Sequence, residues 1–244
     1  MEFKVDFNIT RLFIDKKIPL QINQQSVILV YCPPVREYYT NVGWNAMYHL
    51  WTTPESEFDK LPYQAQAPFD IVNILLFELG QYDQFRKLAN FCAEALKKIL
   101  PGVDIDFSNK KLVINGTTIT TEIWDYVIYI LKLSCGEKAE QPLTFDSPEA
   151  REFYKKQKEM EDKIRKIKSE NTNKKQDTKG VMKNMLAITY SFPSLSFDYL
   201  FDQTMAQIHW LQEMAAGEVS YRLNAQAMAA GNMKKGSKLE FFIK

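Results

Sequence analysis

The pattern of hydrophobic and polar positions changes along the chain from short strand-like runs to helical repeats. Apolar residues alternate with polar ones at 3–7 and 11–15, which predicts two short strands. The run 26–32, SVILVYC, is continuously apolar and rich in β-branched residues, which is typical of a strand buried on both faces. The Pro-Pro pair that follows ends this strand, because proline cannot donate to a ladder, and a helix is predicted at 35–42.

Between 69 and 100 the apolar residues recur at helical spacing. A short apolar helix is predicted at 69–79, with Gly80 directly after its C-terminus, where a left-handed backbone favours glycine. An amphipathic helix is predicted at 82–100 and ends at Pro101-Gly102. Its apolar residues share one face at spacings of three or four: Phe85, Leu88, Cys92, Leu96 and Ile99.

Residues 103–120 carry the clearest local signal, two turn sequences between alternating segments. The turns are Ser108-Asn109 and Asn115-Gly116. Asn-Gly favours the type I′ turn of a β-hairpin, because both central residues need positive φ. A helix is predicted next at 122–133, with Thr120 or Thr121 as its N-cap and Gly136 beyond its end.

The remaining sequence predicts helices separated by a linker. Ser147-Pro148 begins a charged helix at 149–168, which fades into a linker at 169–180. An apolar helix at 181–191 ends before Pro193, and Ser194 or Ser196 caps a helix over 197–214. That helix is predicted to break near Gly217 and to resume at 219–230, and the tail 239–243, LEFFI, is strand-like.

These elements together predict an α+β fold that is mostly α-helical, with short N-terminal strands, an embedded β-hairpin and a C-terminal helical region. Three parts are expected along the chain. Residues 1–136 form an α+β domain, 137–180 a charged helix and linker, and 181–244 a helical region with a strand-like tail.

Composition narrows the function classes without naming one. The net charge of +1 over 244 residues gives no global field that attracts nucleic acid or membrane. The three cysteines, Cys32, Cys92 and Cys135, have no CxxC spacing, which suggests free thiols in a reducing compartment. No run approaches the ~18 apolar residues of a membrane span, and the N-terminus lacks a signal peptide pattern. We therefore expect a cytoplasmic protein without a membrane segment.

Candidate catalytic groups are few and scattered, so no enzyme and no cofactor are expected. His49 and His209 each lie among apolar residues, as packing histidines do. Asp104 and Asp106 share one face of a predicted strand, where a nuclease could hold Mg²⁺; the alternative is a solvated strand face. The basic helix 151–168 interleaves acids with its lysines, which favours a solvated face over a nucleic-acid site.

The stretch 197–214, FDYLFDQTMAQIHWLQEM, carries apolar and aromatic residues on more than one helical face. One face predicts core packing. The residues beside it predict a partner-binding surface, because methionine adapts to varied apolar partners and aromatic residues anchor interfaces. The predicted contacts are Tyr199, Gln203, Gln207, Trp210 and Met214.

The order of the elements resembles the tail assembly chaperones of long-tailed bacteriophages. Four pieces carry the resemblance: 33–39 with its Val-Arg-Glu-Tyr-Tyr sequence, the hairpin and helix at 103–133, the charged helix 149–168, and 185–214 with FPSLSFDYL. The resemblance implies a protein without enzymatic activity in the host cytoplasm. Such a protein binds helices of the tape-measure protein until tail tube subunits assemble around it, and it is usually lost from the finished particle. Self-association is compatible with this role. A structural tail or connector component that stays in the virion is the alternative.

Overall fold

The computed structural model describes residues 5–22, 26–53, 65, 67–139, 141–142 and 178–230. It confirms a mostly helical α+β fold with a few short antiparallel strands. The predicted charged helix 149–168 and the strand-like tail 239–243 lie outside the described residues. The division of the chain into three parts stays a prediction.

The N-terminal sheet has three antiparallel strands in the order β1-β2-β3. They are β1 (Val5–Phe7), β2 (Lys17–Ile22) and β3 (Ser26–Tyr31). The predicted strand at 11–15 is wrong, because Ile9–Phe13 form a 3₁₀ turn that opens where the Asn8 side chain accepts the Thr10 N–H. Strand β2 was not predicted.

The third strand is buried on one face only. Ile28 and Val30 are buried, whereas Val27 and Leu29 are 43% and 41% exposed. The prediction that 26–32 is buried on both faces is therefore wrong. An apolar run marks a strand, but burial on its second face needs another layer, and the described residues do not cover that face fully.

Four helical segments follow the sheet: α1 (Val35–Thr40), α2 (Val42–Trp51), α3 (Pro68–Asn73) and α4 (Asp83–Ile99). Helix α2 was not predicted; it begins where the Asn41 side chain accepts the Trp44 N–H at 2.9 Å. Helix α3 continues as a wider π turn at Ile74–Glu78 and a 3₁₀ turn at Leu79–Gln81.

Gly80 does not end a helix with a left-handed residue, so that prediction is wrong. It lies inside the 3₁₀ turn, and its φ is not positive. A Cβ at this position would lie 3.0 Å from the Cβ of Ala89 and 3.2 Å from the Leu75 carbonyl oxygen. Glycine avoids these tight contacts where the turn approaches α4.

The hairpin region and the helix after it agree with the sequence prediction. The strands are β4 (Asp104–Asp106), β5 (Lys111–Ile114) and β6 (Thr117–Thr118), all antiparallel. Asn115 and Gly116 have φ of 49° and 77°, as a type I′ turn requires. Helix α5 (Thr121–Ser134) is capped by Thr120, and Gly136 follows its end with φ of 73°.

A first core joins the N-terminal sheet to helices α2 to α5 and the hairpin. Its centre is aromatic: Trp51 meets Trp124 edge to face with ring centroids 5.5 Å apart. The predicted amphipathic face of α4 contributes Cys92, Leu96 and Ile99, all fully buried.

A second core is built by α6 (Thr178–Ser191), α7 (Phe197–Phe201) and α8 (Met205–Ala229). Its buried residues are Val35, Met185, Ile188, Leu200, Ile208 and Ala215. Helix α6 begins at Thr178, so the predicted linker does not extend to 180. Val35 comes from α1, so the N-terminal region also takes part in this core.

The predicted helix break near Gly217 is wrong, and the break lies at Asp202–Thr204 instead. Thr204 starts α8 with a capping box: its hydroxyl accepts the Gln207 N–H, and the Gln207 side chain accepts the Thr204 N–H. Helix α8 then runs for 25 residues through Gly217. Apolar spacing continued across 197–214 and concealed this cap.

Several contacts fix the second core against the rest of the molecule. The Val35 N–H donates to the Gln203 carbonyl at 2.8 Å. Arg36 on α1 donates to Asp198 at 3.1 Å and to Asp202 at 3.2 Å. The imidazole of His209 on α8 lies over Gly136 at the end of α5.

Candidate partner-binding surface

An open apolar pocket of about 190 Å³ lies between α8 and the turn that joins α6 to α7. Its lining residues are Phe192, Ser194, Leu195, Trp210, Leu211 and Met214. Pro193 ends α6, and the Leu195 N–H donates to the Phe192 carbonyl at 2.9 Å. This tight turn aims two apolar side chains at α8, so the pocket wall is set by local backbone geometry.

The apolar surface continues from the pocket to the N-terminal 3₁₀ turn. The Phe13 ring lies 6.3 Å from the Trp210 ring, centroid to centroid. Phe13 is 40% exposed and Trp210 is 42% exposed, so both rings contact each other while each keeps a face open to solvent. We call Phe13, Trp210 and the pocket-lining residues the pocket surface.

The structure brings together two of the five predicted partner contacts. Trp210 and Met214 line the pocket one helical turn apart on α8. Tyr199 is 47% exposed on α7, and the Gln203 side chain donates to its carbonyl at 3.0 Å. Gln203 therefore closes the end of α7 with its amide group.

Gln207 is placed where a partner cannot reach it. Its side chain is 4% exposed and its amide oxygen is held by the Thr204 N–H at 2.8 Å. The prediction that Gln207 contacts a partner is corrected to a capping role. The physical reason is the break before α8, which turns this position inward as the third residue of a new helix.

Sequence reasoning missed Phe13, Phe192 and Leu195. The Phe-Pro-Ser-Leu sequence at 192–195 was used only to predict the end of a helix. Apolar residues on both sides of a proline also indicate a turn whose side chains pack against a neighbouring element. Phe13 had no such signal, because its approach to α8 depends on the fold of the whole N-terminal region.

The segment of α7 and α8 that carries part of the pocket surface has a negative excess of charge. Residues 197–218 contain four carboxylates, Asp198, Asp202, Glu213 and Glu218, and no lysine or arginine. Arg36 bridges the first two, and Arg222 donates to Glu218. Glu213 is exposed between Trp210 and Met214, and among the described residues no cation pairs with it.

The candidate catalytic residues do not converge on one site in the described structure. His49 is exposed and its ring meets Tyr48 at 5.7 Å, whereas His209 packs on Gly136. Asp106 accepts hydrogen bonds from the side chain and the backbone N–H of Asn109, and these bonds lower the pKa of its carboxyl. Asp106 thus closes the Ser108-Asn109 turn, and the described residues contain no group of three His, Cys, Asp or Glu that could hold a metal ion.

The three thiols are free and sheltered. Burial raises the pKa of Cys32 and Cys92 to about 12. Burial also raises the pKa of Cys135 to about 12, although part of this residue remains accessible to solvent. Because the thiolate is the nucleophile, these cysteines are poor candidates for chemistry at neutral pH.

A search of the described helices for a membrane span finds none that combines the needed length and apolarity. Comparison of the chain with family models, with curated proteins and with solved structures gave no match.

Proposed function

We propose that this protein is a non-enzymatic chaperone or adaptor that captures a helical segment of a partner protein at the pocket surface. The observation that carries the proposal is the open apolar pocket with Trp210 on its rim. Exposed tryptophan beside an apolar cavity is the typical anchor of a protein interface, and methionine in the wall can adapt to different side chains.

The dimensions of the pocket suit a helix that inserts one large side chain. A volume of about 190 Å³ is enough for an aliphatic or aromatic group but small for a drug-sized ligand, which needs roughly 300 Å³ or more. Phe13 and Trp210 extend the apolar area beside the pocket, where the neighbouring turns of an amphipathic helix would lie.

The resemblance to tail assembly chaperones of long-tailed bacteriophages suggests which protein would be bound at the pocket surface. The client would be the tape-measure protein. Its long apolar helices would aggregate in the host cytoplasm unless a chaperone binds them until tail tube subunits enclose them. A surface that binds through one anchor pocket and a broad apolar rim fits repeated helices of varied sequence. This function needs no cofactor and no catalytic residue.

The test is co-expression with a tape-measure protein of a long-tailed bacteriophage, followed by a solubility assay and pull-down. The proposal expects the client to stay soluble with the wild-type chain and to precipitate with the double variant Trp210→Ala, Met214→Ala. Phe107→Ala is the matched control, since Phe107 is an exposed aromatic residue of the first part of the chain. Equal solubility with all three chains would contradict the proposed surface.

Mass spectrometry of purified virions separates the chaperone from a structural component. An assembly chaperone is absent from the finished particle or present far below tail subunit levels. Stoichiometric recovery of this chain in the virion would replace the chaperone proposal with a structural tail or connector role.

A further inference from the structure

We infer that the partner segment is a basic amphipathic helix, whose apolar stripe fills the pocket surface and whose lysine or arginine side chains flank that stripe. This inference rests on the proposed function and adds the charge of the partner to it. The observation behind it is the distribution of charges around the pocket.

The nearest charges to the pocket leave a negative excess. Glu213 follows Trp210 by three residues on α8, so its side chain is a neighbour of Trp210 on the helix surface, beside the pocket. It is exposed and pairs with no cation among the residues of the described ranges. At α7, one guanidinium, that of Arg36, serves two carboxylates at 3.1 and 3.2 Å.

The cations of the described regions that come near the pocket do not cancel this excess. Arg222 is held by Glu218 at 2.6 Å, and Arg11, two residues from Phe13, pairs with Asp15 at 3.6 Å. Lys183 lies nine residues before Phe192, which is about 13 Å along α6. That separation from Phe192 exceeds the screening length of about 8 Å at physiological salt, so Lys183 adds little charge at the Phe192 end of the pocket.

Only basic side chains on a partner helix would interact favourably with this negative charge. On an amphipathic helix, residues beside the apolar stripe lie over the rim of the groove that the stripe fills. Lysine or arginine there would meet Glu213 beside Trp210. Acidic flanks would face like charges, which slows association and weakens the complex. The same field disfavours nucleic acid and anionic membrane at this surface.

The experiment uses the full chain and two synthetic helical peptides of about 20 residues. Both carry the same apolar stripe of leucine and phenylalanine; one has lysine flanks and the other glutamate flanks. Binding is measured by fluorescence anisotropy of the labelled peptide at low and at physiological salt. We expect the lysine peptide to bind about tenfold tighter at low salt, with the difference shrinking as salt rises.

Two protein variants locate the charge effect. Glu213→Lys is expected to reduce the tenfold preference to near parity. Glu94→Lys changes the net charge by the same amount on an exposed position of α4 in the first core, and it should leave the preference unchanged. Equal loss in both variants would show a global charge effect and would overturn the inference.

The outcomes also separate this inference from the proposed function. If both peptides bind equally, or the glutamate peptide binds tighter, the basic partner is refuted while helix capture stands. If neither peptide binds, helix capture itself fails. A dimer of this chain that dissociates on Trp210→Ala would make a second copy the occupant and would also contradict the inference.

Discussion

Substitution of Gly136 by alanine tests how α8 is placed against the first core. Gly136 has φ of 73°, a left-handed backbone that costs an alanine roughly 1–2 kcal/mol. An added Cβ would also lie 2.5 Å from Cε1 and 2.6 Å from Nδ1 of His209. The His209 ring must then move, and a forced repacking of this kind costs roughly 1–3 kcal/mol. The expected loss of unfolding free energy for Gly136→Ala is about 2–5 kcal/mol.

Gly102 offers the matched control because it shares the strain without the contact. Its φ is 86°, and nothing lies within 4 Å of an added Cβ. Gly102→Ala should therefore cost only the backbone strain of roughly 1–2 kcal/mol. Unfolding by urea, followed by circular dichroism, gives both free energies on the same scale.

A double-mutant cycle with His209→Ala isolates the side-chain contact. In the His209→Ala background the ring is gone, so Gly136→Ala should cost no more than Gly102→Ala does. Two results would refute the reasoning. One is an equal cost for the two glycine substitutions in the wild-type background, and the other is strict additivity of Gly136→Ala and His209→Ala. Either would mean that the His209 ring does not pack on Gly136 tightly enough to resist an added methyl group.

Four further predictions follow from the described structure. Thr204→Val removes the N-cap hydroxyl of α8 and should lower the free energy of unfolding by about 1 kcal/mol; an unchanged value would contradict the capping box. Cys32 and Cys92 should resist maleimide at pH 8 in the native protein and react after denaturation. Burial raises the pKa of both thiols from 9.0 to about 12. The contribution of the two neutral thiols to stability is therefore fully present below pH 9.0 and is lost as the pH rises towards 12. Melting temperatures measured across this pH range test the prediction. Mg²⁺ should not shift the melting temperature, because Asp106 is engaged by Asn109; a clear shift would revive the nuclease alternative.

Local signals in the sequence were sufficient wherever a few adjacent residues determine the structure. The Asn115-Gly116 turn needs two positive φ angles, and few residues other than Asn and Gly accept them. The cap at Thr120 and the amphipathic face of α4 were predicted for the same reason.

Two predictions of secondary structure failed where a hydrogen bond from a side chain starts an element that the apolar spacing does not show. Leu12 and Ile14 alternate as a strand would, but the Asn8 side chain starts a 3₁₀ turn, and Ile14 is left 76% exposed. The cap at Thr204 was concealed by apolar residues that continue in helical register across it. A local hydrogen bond thus overrode the periodicity in both places.

The candidate surface was only partly predictable, because contacts between distant parts of the sequence complete it. Trp210 and Met214 were found because they lie one turn apart on a single helix. Phe13 joins them only through packing of the N-terminal turn against α8, across nearly 200 residues of sequence. Gln207 was misplaced because its role depends on where α8 begins.

The most direct test of the central claim is the affinity of the full chain for a helical segment of the tape-measure protein, measured for wild type, Trp210→Ala and Phe107→Ala. The account predicts that Trp210→Ala weakens binding by about 2 kcal/mol, roughly 30-fold, because the anchor of the pocket surface is lost. Phe107→Ala should bind as wild type does, with both variants retaining the native circular dichroism spectrum. Wild-type affinity in Trp210→Ala would contradict the claim that this pocket captures the partner.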